Sequence, residues 1–170
     1  EQYPDLLLVL VPRHPDRFED VRSLAKRRGF SFVSRTEGRP TQAATQVFIG
    51  DTMGELPLFY AASDVAFVGG SLVPIGGHNL LEPAALGLPV ITGPEVFNAQ
   101  EIADMFVDLG ACRMVHDSSE LAATVSELFA DTAAAKEIGS QGREVVRRNR
   151  GALGRLLGLL EPLIGNNASQ

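Results

Sequence analysis

The run Asp64-Val65-Ala66-Phe67-Val68-Gly69-Gly70-Ser71 passes through a short loop into Gly76-Gly77-His78-Asn79-Leu80-Leu81-Glu82-Pro83, and Pro89-Val90-Ile91-Thr92 follows. This is a near-continuous apolar run, a glycine-rich loop, a helix start and a second apolar run. A strand buried on both faces reads this way, because helices cover each side of a parallel sheet. Working outward, the same kind of run recurs at Leu6–Val11, Phe30–Ser34, Gln46–Ile49 and Cys112–Val115. Between the runs lie amphipathic stretches. In Asp16–Arg28, Phe18, Val21, Leu24 and Ala25 recur at helical spacing, and Gly29 can close the helix in the left-handed region. Asn98–Leu109 and Ser118–Ala130 read the same way. Asp16-x-x-Glu19, Thr52-x-x-Glu55, Asn79-x-x-Glu82 and Asn98-x-x-Glu101 all have capping-box spacing. After Asp131 only helix follows, over Ala133–Asn149 and Leu153–Ile164. The expected architecture is a Rossmann-like, doubly wound α/β domain over residues 1–164. It has about six parallel strands, helices on both faces and C-terminal helices. Residues 165–170 are expected to form a disordered tail.

Composition narrows the function. The chain has 170 residues, 45% of them hydrophobic and 21% charged, with 15 Lys+Arg against 21 Asp+Glu for a net charge of −6. These are globular values, and the acidic balance excludes a general nucleic-acid binder. Cys112 is the single cysteine, so no intramolecular disulfide can form. No uninterrupted apolar run approaches the ~20 residues of a membrane span. Glu1–Asp5 lack the layout of a signal peptide, and the abrupt entry into Leu6–Val11 predicts a domain cut from a longer protein. The basic group Arg143, Arg147, Arg148, Arg150 and Arg155 reads as a solvated helix face.

In open parallel sheets ligands bind beyond the carboxyl ends of the strands, and three segments fall there. The first is Val11-Pro12-Arg13-His14-Pro15. Its two prolines stiffen the loop, and Arg13 can fork onto a phosphate or carboxylate unless it pairs with Asp16 or Glu19. The second is Gly50-Asp51-Thr52-Met53-Gly54-Glu55-Leu56. A capping box accounts for Thr52 and Glu55. Gly54 costs about 1 kcal/mol inside a helix, so its missing side chain suits close approach of a ligand. The third segment is Gly69–Pro83. Gly70, Ser71, Gly76, Gly77 and His78 are candidate ligand contacts there, because glycine pairs can wrap a phosphate with backbone amides. Asn79 and Glu82 fit a cap, and Glu82 can also accept hydrogen bonds from ribose hydroxyls. No dinucleotide or P-loop fingerprint, metal-ligand spacing or nucleophile elbow is present.

Val-Pro-Arg-His-Pro-Asp-Arg-Phe (11–18), Gly-Asp-Thr-Met-Gly-Glu-Leu (50–56), Phe-Val-Gly-Gly-Ser-Leu (67–72) and Gly-Gly-His-Asn-Leu-Leu-Glu-Pro-Ala (76–84) together resemble the C-terminal half of 3-deoxy-D-manno-octulosonic acid (Kdo) transferases. The resemblance implies one half of a GT-B glycosyltransferase, the half that holds the CMP-Kdo donor. The whole enzyme transfers Kdo to a lipid A precursor in lipopolysaccharide core synthesis, with no metal or other cofactor. Pro12, Arg13, Met53, Gly54, Glu55, Asn79, Leu80, Leu81 and Glu82 match the family's donor-binding positions. The catalytic carboxylate, acceptor site and membrane-anchoring segment belong to the family's N-terminal domain, which this sequence does not include. The resemblance therefore names no catalytic residue here and implies an inactive fragment. Its partners are CMP or CMP-Kdo directly. The lipid A precursor and the membrane surface come in only through the full-length protein. The expected location is cytoplasmic, with the parent enzyme at the cytoplasmic face of the bacterial inner membrane.

Two other readings stay open. One is a GT-B enzyme or epimerase using a UDP-sugar, and the other is a nucleotide-binding module without activity. Composition and spacing do not choose the base.

Overall fold

A computed structural model of the chain describes residues 3–149. The expected helix Leu153–Ile164 and the tail 165–170 lie outside the described residues. Two compact units meet in the chain at Ser63 and Asp64.

All six expected strands form, and every pairing is parallel. They are β1 (Leu8–Leu10), β2 (Phe32–Ser34), β3 (Val47–Ile49), β4 (Ala66–Phe67), β5 (Val90–Thr92) and β6 (Cys112–Met114). The expectation of about six strands in one sheet is corrected in its pairing. The ladders make two three-stranded sheets, in the orders β1-β3-β2 and β4-β5-β6. Apolar runs report that a strand is buried, and they carry no signal for which strands bond to one another.

The helices are α1 (Phe18–Arg27), α2 (Leu56–Ala61), α3 (Leu81–Ala85), α4 (Gln100–Asp108), α5 (Ser118–Ala130) and α6 (Thr132–Asn149). In the first unit, Val47 and Ile49 of β3 pack with Ala25 of α1. Phe48, of opposite parity, meets Phe59 of α2 edge-on, with ring centres 5.8 Å apart. In the second unit the two faces of β5 part company. Val90 joins a core with Ala84, Ala103, Phe106 and Val145. Ile91 joins another with Val115, Leu128 and Ile138. Helices on both faces are thus observed around each sheet. They explain the near-continuous apolar runs, since both parities of the central strand pack against helices.

Helix ends follow the glycines more closely than the acidic caps. Gly29 and Gly110 both take positive φ. After α1 the Phe30 amide returns to the Ala25 carbonyl, and after α4 the Ala111 amide returns to that of Phe106. Both are Schellman closures. Two expected capping boxes are absent. His14 is extended and Pro15–Arg17 form a 3-10 turn, so α1 starts behind Arg17 with no side-chain cap. Asn98 is also not a cap, because its side-chain amide donates to the Ile75 carbonyl at 3.2 Å and α4 starts behind Ala99. Side-chain caps do form at Asp117, which accepts from the Ser119 and Glu120 amides, and at Asp131, which accepts from the Ala133 and Ala134 amides.

Candidate functional site

In the first unit the carboxyl edge of the sheet brings two of the expected segments together. Leu10 pairs with Ile49, and the Gly50 amide continues the ladder onto the Leu10 carbonyl at 2.9 Å. Val11–Arg13 and Gly50–Glu55 therefore leave the sheet side by side. The contact is tight: a Cβ on Gly50 would stand 2.8 Å from the Phe59 ring and 3.0 Å from Val11. Pro12 is half-buried and Arg13 is exposed. Among the described residues Arg13 makes no ion pair with either Asp16 or Glu19, and Glu19 goes to Arg22. Its guanidinium is available to an anion.

The second segment is a turn with both ends held. Asp51 is 3% exposed. Its carboxylate accepts from the Thr36 amide at 2.9 Å, from the Thr36 hydroxyl and from the Arg22 guanidinium. Arg22 also donates to the Ser34 hydroxyl at 3.1 Å. Burial raises the Asp51 pKa, but the two Thr36 bonds and Arg22 outweigh it and leave the group below the usual carboxylate range. At the other end Glu55 takes a bidentate pair from Arg35, at 3.0 and 2.8 Å, and a bond from the Thr52 hydroxyl. These bonds lower the Glu55 pKa. The expected capping box over Thr52-x-x-Glu55 gives way to this arrangement. Glu55 itself precedes the first residue of α2 and makes no side-chain cap. Between the two clamps Met53 is 64% exposed. Gly54 has φ +81°, and the space where its side chain would lie is open.

The third segment lies in the second unit. Ser71 is fully buried. Its hydroxyl donates to the Val68 carbonyl at 2.7 Å and accepts from the Gly93 amide at 2.8 Å, so it braces the ends of β4 and β5. Gly76 and Gly77 are buried at positive φ, and a Cβ on Gly76 would stand 2.7 Å from the Phe97 ring. The Gly77 amide donates to the Gly70 carbonyl at 2.9 Å, which ties the two glycine pairs into one closed loop. His78 is half-buried, with its ring beside Gly70. The Asn79 side chain accepts from the Leu81 amide at 2.9 Å and donates to Glu82 at 3.0 Å. Asn79 thus does turn onto the helix start. Glu82 answers its side chain, not its backbone, and stays exposed. Leu80 is buried and Leu81 half-buried.

The expected residues thus fall into two sets, one at each sheet's carboxyl edge. The structure adds Arg22, Arg35 and Thr36, which stand in no motif, and gives Asp51, inside the second segment, a role that the motif does not reveal. Ser34-Arg35-Thr36 ends the second apolar run, so its position at the same edge was the available signal. A cavity of about 280 Å³, lined by Phe32, Arg39, Gln42 and Thr45 among others, begins at the opposite end of β2. Among the described residues no group of three His, Cys, Asp or Glu side chains is placed to hold a metal ion, and no helix is long and apolar enough to cross a membrane.

Residues 31–145 match the family of glycosyl transferases group 1. The chain belongs to the glycosyl transferases group 1. It is 47% identical, over 98% of its length, to the 3-deoxy-D-manno-octulosonic acid transferase of Haemophilus influenzae, and it covers 39% of that protein. It is 36% identical over 95% of its length to the transferase of the same description from Bordetella pertussis, of which it covers 38%. The chain therefore spans about two fifths of the length of these relatives. Among solved structures it is similar to the C-terminal CMP-Kdo binding domain of WaaA from Acinetobacter baumannii. That match has a TM-score of 0.82 at 39% identity and covers 84% of this chain and 75% of that one. A sucrose-phosphate synthase from Thermosynechococcus elongatus, at 23% identity and TM-score 0.58, covers 97% of this chain and 47% of that one. It shares the fold of this group 1 chain.

Proposed function

We propose that this chain is the CMP-Kdo-binding domain of a Kdo transferase, one half of a GT-B enzyme that adds Kdo to a lipid A precursor at the cytoplasmic face of the inner membrane. The observation that carries this reading is the similarity in fold and sequence to the CMP-Kdo binding domain of WaaA. The residues present suit such a donor. Breaking the bond from Kdo to CMP builds negative charge on the departing phosphate, and a guanidinium such as that of Arg13 stabilises it. Glu82 offers an exposed carboxylate to ribose hydroxyls, oriented by Asn79. Met53 and Gly54 offer an exposed backbone to the nucleotide. The acceptor hydroxyl is deprotonated by a group outside this chain.

Calorimetric titration of the chain with CMP and with UMP, read alongside NMR shifts, tests this. CMP binding should exceed UMP binding, with shifts at Arg13, Gly54 and Asn79–Glu82. Equal or stronger UMP binding would favour a UDP-sugar enzyme, and no binding of either would overturn the nucleotide reading. Glu82→Ala should cost affinity of about 1.5–3 kcal/mol if its carboxylate holds ribose hydroxyls. Unchanged affinity in a folded variant would return Glu82 to a structural role.

A further inference from the structure

The turn carrying Met53 and Gly54 is anchored at both ends by one neighbouring turn, the residues that follow β2. Thr36 holds Asp51 through its amide and its hydroxyl, and Arg35 holds Glu55 through two parallel bonds. The two anchors differ in kind. Asp51 is buried and shared with Arg22, whereas the Arg35 and Glu55 side chains are 42% and 29% exposed. An ion pair that meets this much water contributes little to folding. A bidentate fork, however, fixes the plane and position of the carboxylate it grips, which a single point charge does not.

We propose that Arg35 is a positioning residue for the nucleotide: it holds Glu55, and through it the Met53–Gly54 backbone, in the geometry the ligand meets. The inference rests on the donor-binding reading above. Gly54 gives the reason a second anchor is needed. At φ +81°, with open space where a side chain would lie, this residue has no side-chain packing of its own to hold its backbone in place. Asp51 anchors the turn only from the β3 side. With Arg35 gone, Thr52 still bonds Glu55, but Thr52 belongs to the same turn and moves with it.

The test is calorimetric titration of the 170-residue chain with CMP, for wild type, Arg35→Gln, Arg35→Lys, Glu55→Gln and the double variant Arg35→Gln/Glu55→Gln. Arg35→Gln should raise Kd about fivefold, as expected for contacting residues that act together, while its unfolding temperature stays within about two degrees of wild type. Arg35→Lys should restore part of the affinity. The double variant should bind no more weakly than either single variant, because Arg35 acts through Glu55. Wild-type binding with an unchanged Arg35→Gln overturns the positioning role alone, and so does additive loss in the double variant. Loss of affinity that merely follows a large drop in unfolding temperature overturns it as well. A wild type that does not bind CMP overturns the donor reading itself, and the positioning role with it.

Discussion

Residues 3–63 and 64–149 each build a three-stranded parallel sheet whose carboxyl edge carries candidate contacts, and they brace that edge by different means. In the first unit the brace is charged: Arg22, Thr36 and Asp51 at one point, Arg35 and Glu55 at another. The core behind it, around Ala25, Val47 and Ile49, is small. In the second unit the brace is neutral. Ser71 joins two strand ends by its hydroxyl, glycines permit close backbone contact, and larger apolar clusters lie on both faces of β5. A charged brace depends on protonation state and gives direction to a loop. An apolar brace depends on volume and shape and is indifferent to pH.

The largest effect should come from volume in the second unit. Phe106 is fully buried, and Phe106→Ala should cost about 3–5 kcal/mol in denaturant unfolding, with the same loss at pH 7 and pH 4. A marked pH dependence of that loss would break the contrast between the units. Next is Asp51→Ala, which takes the buried acceptor away from the Thr36 amide and hydroxyl and one partner away from Arg22, and should cost about 2 kcal/mol. Because the Asp51 pKa is lowered on folding, its contribution is complete above the ordinary carboxylate range and fades as pH falls toward the folded value. Amide exchange within residues 3–63 should therefore accelerate in wild type as the pH is lowered through about 4, the ordinary carboxylate range. In Asp51→Asn this acceleration should shrink. Equal acceleration in both proteins would remove Asp51 from the explanation. The smallest of the three is Ser71→Ala, which leaves the buried Gly93 amide without a partner and should cost about 1–2 kcal/mol at every pH. A neutral Ser71→Ala would show that backbone packing alone closes the second edge.

Strand positions were legible because parallel strands buried on both faces are written as unbroken apolar runs. Helix ends at Gly29 and Gly110 were legible because a left-handed closure favours one residue type. The caps at Asp16 and Asn98 were not, because a spacing of three residues does not say where the first helical amide falls. Pro15 moved one start and the Ile75 carbonyl drew the other side chain away. At the site, the three loops could be named from glycine, proline and charge. Ser71 reads from the sequence as a candidate ligand contact, and its hydroxyl is a buried brace. Arg35 stands in no motif, and Asp51 stands in one without any sign there of its partners. Their importance arises from β2 and β3, fifteen residues apart in register, lying beside one another.

The sequence by itself determined the element types, the parallel character of the sheets and the family. Each of these rests on local pattern, which residue chemistry encodes directly. Only the tertiary structure decided which strands pair, which loop residues face the interior and which charges clasp one another. Those depend on distances between residues far apart in the chain, and no periodicity records them.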